Sequence, residues 1–498
     1  MTSIPSPLSV WLTVLLTVVV GPLPILPGSA TPMALRHLRR IAPQNETPVS
    51  PASIPAAAKA PPGTKPVPAA NPAAKQYGRP RPSRPVTAPP PTTRGTNTPE
   101  AIQDIELEWT GQYAEQLSRI LPNPTLGPAD IARKLAELKQ KTGQTPALLY
   151  AASRPDHLET ILVTPSGKIR HQHITAADAE TLTDTLQNLR IEVIDPTSSP
   201  QVYLPPAQQL YQWLIAPFAA ELEAQGIDTL LLCVGPGLRT VPFAALHDGQ
   251  QYLIEKYNFS LIPAFNLLAT SYRPLRSAQV LAMGASEFAQ LNDLPAVPLE
   301  LGAIAQVLWP GKVLLNQAFT PNALVSERQR QPFAIVHLAT HAEFQPGTLD
   351  RSYIQFWDQR LGLNQIPALS FDHPPVQLLV LSACRTAFGD RQVELGFAGL
   401  AVEAGVESAI ASLWYVSDVA TLVLMRQFYQ DLKQTPIKAE ALRQAQVAML
   451  KGQAKLTRDD SVKQQLQVPF PPEVAAFENE PLTHPYYWAA FTVIGSPW

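Results

Sequence analysis

Apolar and polar residues alternate in blocks through the second half of this 498-residue chain. Short apolar runs rich in β-branched residues, typical of buried parallel strands, are separated by stretches with the apolar spacing of helices. The predicted strands span 228–234, 258–262, 278–283, 333–339, 376–382 and 408–413. The predicted helices span 264–270, 297–308, 321–328, 397–405, 418–432 and 436–451. This alternation predicts an α/β fold with a mostly parallel sheet covered by helices on both faces.

The composition becomes globular only near residue 100. Residues 8–25 are mostly apolar, and the small residues Gly28-Ser29-Ala30 that follow are suited to signal-peptidase cleavage. Residues 31–99 are rich in Pro and carry ten Lys or Arg against one Glu, so they are predicted to form a disordered basic linker. The predicted domains are a signal peptide or membrane anchor at 1–30, the linker at 31–99, a helical pair at 100–144 and a globular domain at 145–498.

The N-terminal segment predicts export or membrane attachment, and it leaves the face of the membrane open. The usual basic region before the apolar run is missing, whereas Arg36, Arg39 and Arg40 follow the run. Positive charge on that side favours retention of the downstream part in the cytoplasm. A cleaved signal peptide and an uncleaved anchor therefore both stay open. The linker cations are spread out and lack interleaved aromatic residues, so we expect a solvated spacer and no nucleic-acid partner.

Two of the predicted strands end in a reactive side chain. His341 follows the run 333–339, and Cys384 follows the run 376–382. Because parallel strands place their carboxyl ends at one edge of a sheet, we expect the two side chains to lie side by side. An imidazole beside a thiol promotes the nucleophilic thiolate. The pattern therefore predicts a Cys–His hydrolase, in which backbone amides at Ala342 and Cys384 receive the developing oxyanion.

No metal site and no cofactor are expected. His337 and His341 have the four-residue spacing of a zincin helix, but Leu338 stands where that motif needs an acid. The two cysteines are too few for a disulfide framework. Cys233 ends an apolar strand-like run, and we expect it to be a small core residue.

Asp418 has two interpretations. It follows the predicted strand 408–413 and precedes the apolar face of the next helix, so it is a good N-cap for that helix. A carboxylate at a third strand exit would also bind a basic side chain of a substrate. Spacing alone favours the N-cap.

Several different short motifs follow one another along the chain: Gly237-Leu238-Arg239-Thr240-Val241-Pro242-Phe243-Ala244-Ala245-Leu246, Leu294-Pro295-Ala296 with Glu300, Ala339-Thr340-His341, Leu381-Ser382-Ala383-Cys384-Arg385-Thr386-Ala387-Phe388-Gly389, and Leu413-Trp414 with Asp418. Together they resemble the CHAT domain, a caspase-like cysteine-peptidase family akin to the separases, over roughly 145–498. The resemblance implies a caspase-like α/β/α sandwich, a protein or peptide substrate and a regulatory protein partner. It also implies Cys384 as nucleophile, His341 as general base or positioning group, and Asp418 as acceptor of a basic P1 side chain.

Two departures from the family pattern keep an alternative open. The family usually has Gly directly after the histidine, where this chain has Ala342. The helical repeats that commonly precede the domain are absent from this sequence. The alternative is a catalytically inactive interaction module tethered at a membrane, and a third interpretation is a non-peptide acyl hydrolase that uses the same Cys–His pair.

Overall fold

The computed structural model describes residues 98–116, 121, 126–345, 351–382, 385–386, 394, 396–397, 399–457 and 465–498. The apolar segment at 8–25, the linker up to residue 97 and Cys384 lie outside these described residues. Within them, every helix is too short or too polar to span a bilayer.

The described strands form an eleven-stranded sheet and a four-stranded sheet. The large sheet contains β1 (Pro146–Ser153), β2 (Leu158–Val163), β3 (Ile169–Ile174), β4 (Thr229–Val234), β5 (Asn258–Ile262), β6 (Val280–Gly284), β7 (Gly311–Leu315), β8 (Ile335–Ala339), β12 (Leu378–Leu381), β14 (Ser408–Ser412) and β15 (Phe491–Gly495). The small sheet contains β9 (Ala342–Phe344), β10 (Tyr353–Gln355), β11 (Arg360–Gly362) and β13 (Arg385–Thr386).

The large sheet consists of two parallel blocks that run in opposite directions. Its order is β3-β2-β1-β4-β5-β15-β14-β12-β8-β6-β7. β1, β4, β5 and β15 are parallel to one another, and so are β14, β12, β8, β6 and β7. β15 and β14 are antiparallel where the blocks meet, and β2 and β3 add two antiparallel pairings at one end. The predicted α/β class with a mostly parallel sheet is confirmed.

Along the chain, the described helices lie before the first strand or between later strands. They are α1 (Thr98–Gln116), α2 (Pro128–Thr142), α3 (Ala179–Val193), α4 (Pro200–Leu214), α5 (Ala219–Ala224), α6 (Leu253–Lys256), α7 (Val297–Gly302), α8 (Pro321–Arg330), α9 (Leu400–Ala404), α10 (Asp418–Gln434), α11 (Lys438–Leu450), α12 (Pro472–Ala475) and α13 (Pro485–Trp488). The helix predicted at 297–308 is present, but its second half, Ala303–Leu308, is a π-helix. The helix predicted at 264–270 is reduced to one 3-10 turn at Phe265–Leu267.

Successive side chains of β1 pack into separate cores on the two faces of the sheet. Leu149 belongs to a core that includes Leu210 of α4, whereas Leu148 belongs to a second core with Trp109 of α1. Because alternate residues of a strand point to opposite faces, helices cover both faces here, as an α/β/α sandwich requires. Cys233 is fully buried in the second core, so its thiol is a packing group.

Candidate functional site

The two strands predicted to end in reactive side chains are neighbours in the large sheet. β8 and β12 are parallel, with Leu378 opposite Ile335 and Leu381 opposite Leu338. The pairing extends past the end of β12, because the Ser382 N–H donates to the Leu338 carbonyl over 2.8 Å. The segments that follow β8 and β12 therefore leave the sheet at the same edge.

The same two segments stay together as they enter the small sheet. β9 begins directly after His341 and pairs in parallel with β13, which places Arg385 opposite Glu343. Cys384 itself lies outside the described residues. The residues on both sides of it, Ser382 and Arg385, are nevertheless paired with backbone that flanks His341. The contact between thiol and imidazole thus stays a prediction, now with a defined backbone frame around it.

A backbone carbonyl sets the tautomer of His341. The Nε2 atom lies 2.8 Å from the carbonyl oxygen of Asn292. A carbonyl can only accept, so Nε2 carries the proton and Nδ1 of the neutral ring keeps its lone pair. Burial lowers the pKa of His341, and the Asn292 carbonyl opposes that effect. The ring is therefore neutral near pH 7, with Nδ1 as its basic atom.

Two aromatic rings hold the imidazole plane. Phe288 meets the His341 ring edge to face, with 4.7 Å between centroids. Tyr415 lies nearly parallel to it, with 6.3 Å between centroids and an interplanar angle of 11°. Phe288 precedes α7 and Tyr415 follows β14, so two separate loops converge on the histidine. Neither residue was predicted from the sequence, because loop aromatics show no periodicity.

The structure does not place Asp418 as an N-cap. The N-cap of α10 is Ser417, and Asp418 is the first residue of the helix. Its Oδ2 instead accepts a hydrogen bond of 2.8 Å from the N–H of Ala296, while Oδ1 is buried without a hydrogen-bond partner among the described residues. Burial raises the pKa of Asp418 to about 7, with a further contribution from Glu300. The N-cap interpretation is thus wrong, and the binding of a basic side chain stays a prediction.

A buried polar network lies beneath the sheet edge. Glu300 Oε1 accepts from the Ser382 hydroxyl at 2.5 Å and from His337 Nε2 at 2.9 Å. The Tyr429 hydroxyl lies 3.3 Å from His337 Nδ1. All four side chains are buried. His337 is thus a structural residue inside this network, and Glu300 fixes the side chain two positions before Cys384.

Ala342 has the backbone of an ordinary strand residue. It is buried, begins β9 and pairs with Ile354 of β10. It is not among the described non-glycine residues with positive φ. Alanine adopts the extended conformation of a strand without strain. The missing glycine is therefore no obstacle to an oxyanion-binding amide here. That role of the amides at Ala342 and Cys384 stays a prediction.

The family model of the CHAT domain matches residues 204–496. A comparison with curated proteins found no match. Among solved structures, the chain is similar to the Saccharomyces cerevisiae separase–securin complex, at 9% identity and a TM-score of 0.43, covering 82% of this chain and 34% of that chain. It is also similar to the complex of Porphyromonas gingivalis RgpB pro- and mature domains, at 9% identity and a TM-score of 0.32, covering 64% of this chain and 77% of that chain. The chain thus spans about a third of the length of the separase-complex chain.

Proposed function

This chain belongs to the CHAT domain family, and on that premise we propose that it is a caspase-like cysteine endopeptidase with Cys384 as nucleophile and His341 as general base. The pairing of β8 with β12, and of β9 with β13, supports this proposal most directly. It holds the backbone on both sides of Cys384 against the backbone that flanks His341. The substrate is a protein or peptide, and a regulatory protein controls access to the site.

His341 Nδ1 accepts the thiol proton as Cys384 Sγ attacks the carbonyl carbon of the scissile peptide bond. The Nε2–H bond to the Asn292 carbonyl fixes the tautomer in which Nδ1 carries the lone pair, and burial favours the neutral ring before attack. The same carbonyl, with the rings of Phe288 and Tyr415, stabilises the imidazolium that forms. The backbone amides bind the oxyanion, Nδ1 returns its proton to the leaving amine, and water then hydrolyses the thioester.

A thiol-directed probe tests the nucleophile, because the chain has only two cysteines. Cys233 is fully buried, and burial raises the pKa of its thiol well above the ordinary value. We expect the wild type and Cys233→Ala to be labelled equally and Cys384→Ala to stay unlabelled. His341→Gln should slow labelling, because the base is gone while Cys384 remains. Equal labelling of wild type and Cys384→Ala would refute the assignment.

We further propose that Asp418 selects a basic residue at P1. Its buried Oδ1 lacks a hydrogen-bond partner among the described residues, so a cationic side chain would supply the missing donor. Tyr415, three positions earlier, stacks on the catalytic imidazole, so the carboxylate is close in sequence to a residue that already contacts the site. Burial raises the pKa of this carboxyl group to about 7. A bound cation would favour its ionised form.

Peptides that differ only at P1 test this preference. Asp418→Asn should lower kcat/KM for Arg or Lys at P1 by about 100-fold or more and leave a neutral P1 residue unaffected. Asp431→Asn is a matched control: Asp431 is on the same helix, is also partly buried, and also has a raised pKa, of about 6. It lies roughly 20 Å away along α10. A basic preference that survives Asp418→Asn would exclude the proposed pocket.

The inactive interaction module predicts the opposite result for every catalytic variant. In that case Cys384→Ala and His341→Ala would leave the cellular phenotype unchanged. One of its two supports is now weaker, because Ala342 occupies an ordinary strand conformation.

Export or membrane attachment through residues 1–30 is a separate proposal that rests on the apolar run at 8–25. Fractionation of cells that express the full chain, beside cells that express 31–498, tests it. Identical distribution of the two proteins would refute it.

A further inference from the structure

A group of histidines lies at the edge of the large sheet remote from the candidate active site. β3 is the first strand of that sheet and β8 the ninth, which corresponds to a separation of roughly 40 Å. His171 and His173 are alternate residues of β3 and therefore share a face, and Glu159 of β2 is directly opposite His173. Ligand atoms of Glu159, His171 and His173 all lie within 4.8 Å of one another.

Hydrogen bonds already orient two of these three side chains. His171 Nε2 lies 3.0 Å from Glu159 Oε1, and Arg154 Nε donates to the other carboxylate oxygen over 2.9 Å. The Thr98 hydroxyl lies 3.2 Å from His171 Nδ1. A hydroxyl can donate or accept a hydrogen bond. The Thr98 hydroxyl therefore suits Nδ1 both when Nε2 carries a proton and when Nε2 binds a metal ion. If Nε2 of His171 and Oε1 of Glu159 each bind a tetrahedral metal at about 2.1 Å, these two atoms lie about 3.4 Å apart. Their present separation of 3.0 Å would have to increase only slightly.

The third ligand is accessible from solvent. His173 is exposed, and its ring stacks on that of His157 with 4.7 Å between centroids.

We propose that Glu159, His171 and His173 bind a divalent transition metal of the zinc class, with water completing the coordination. Two imidazoles and one carboxylate suit Zn²⁺, whereas Mg²⁺ and Ca²⁺ prefer all-oxygen sites. Arg154 and Thr98 orient the ligands from outside. Thr98 is the first residue of α1, so the bound metal fastens the beginning of that helix to the edge of the sheet. The site departs from the expectation of no metal, because it forms only through the register of β2 and β3.

Equilibrium dialysis of the full chain against Zn²⁺ tests the proposal. A catalytic thiol would bind zinc as well, so every protein in the comparison carries Cys384→Ser. The parent should bind one equivalent, and an excess of Mg²⁺ should not displace it. His173→Gln and Glu159→Gln should each weaken binding by about tenfold or more. His373→Gln is the matched control, because His373 is an exposed histidine that also contacts an aspartate, Asp372.

Substitution with Co²⁺ provides a second measurement that does not depend on activity. The parent should show the visible absorption of cobalt in a nitrogen and oxygen site, and His173→Gln should lose it. Retained one-equivalent binding in His373→Gln, together with loss in the other two variants, establishes the site. The proposal is overturned if the parent binds no zinc, if His173→Gln and Glu159→Gln bind it as the parent does, or if His373→Gln also loses it.

Discussion

Replacement of Asp418 by Asn should stabilise the protein at alkaline pH. Burial raises the pKa of this carboxyl group from 3.8 to about 7 in the folded chain. Between these values the folded state keeps a proton that the unfolded state releases, so the free energy of unfolding falls as pH rises and is lowest above pH 7. At about 1.36 kcal/mol per pKa unit, the ceiling of this loss is about 4 kcal/mol. The side chain keeps some contact with water, so we expect about half of the ceiling, ~2 kcal/mol.

Asparagine retains the acceptor for the Ala296 N–H and has no proton to release. Urea unfolding of wild type and Asp418→Asn at about pH 5 and about pH 8 measures the effect as a change in midpoint at constant slope. Asp184→Asn, the same substitution at an exposed position of α3, controls for the change of chemistry. The stability advantage of Asp418→Asn should appear mainly at the higher pH. An advantage that is equal at both pH values, or that is larger under acidic conditions, would contradict the reasoning.

Two further substitutions, and a glycine control outside the site, test the framework around the site by urea unfolding. Gly284→Ala should destabilise the chain by about 3 kcal/mol and suppress thiol labelling, because the new Cβ would lie 2.3 Å from the carbonyl oxygen of Ala339, two residues before His341. Gly111→Ala, on a helix where nothing lies within 4 Å, should instead stabilise it by about 0.5–1 kcal/mol. Glu300→Leu should cost about 2–4 kcal/mol, because the buried His337 Nε2–H and Ser382 hydroxyl both lose Oε1, the one oxygen that accepts from them; unchanged unfolding would show that the network contributes no stability.

The strands that carry the site were predictable because each is a buried apolar run. The predicted strands at 333–339 and 376–382 are present as Ile335–Ala339 and Leu378–Leu381. β15 was missed although Phe491-Thr492-Val493-Ile494 is also apolar and β-branched. Its antiparallel pairing with β14 could not be read from the sequence, because a buried run has the same pattern in either direction.

The partners of the site residues were harder to predict than the residues themselves. Asn292 acts on His341 through its backbone carbonyl, which every residue type possesses, so no side-chain signal exists. Asp418 has the sequence context of an N-cap, but Ser417 takes that position and the carboxylate turns to Ala296. The tertiary packing of the segment before α7 decides this, and local propensity carries no information about it. The β9–β11 and β13 strands are two or three residues long, too short to show a period.

The position of β15 in the sheet governs the order in which the protein is assembled. β15 follows every other described strand in the chain, yet it stands sixth among the eleven strands of the large sheet, between β5 and β14. During translation both halves therefore expose an unpaired edge until residues 491–495 have left the ribosome. A chain interrupted before that point contains His341 and Cys384, but β14 lacks its neighbour. Completion of the site-bearing half thus waits for residues 491–495 to emerge from the ribosome, and the growing polypeptide is most exposed to aggregation just before then.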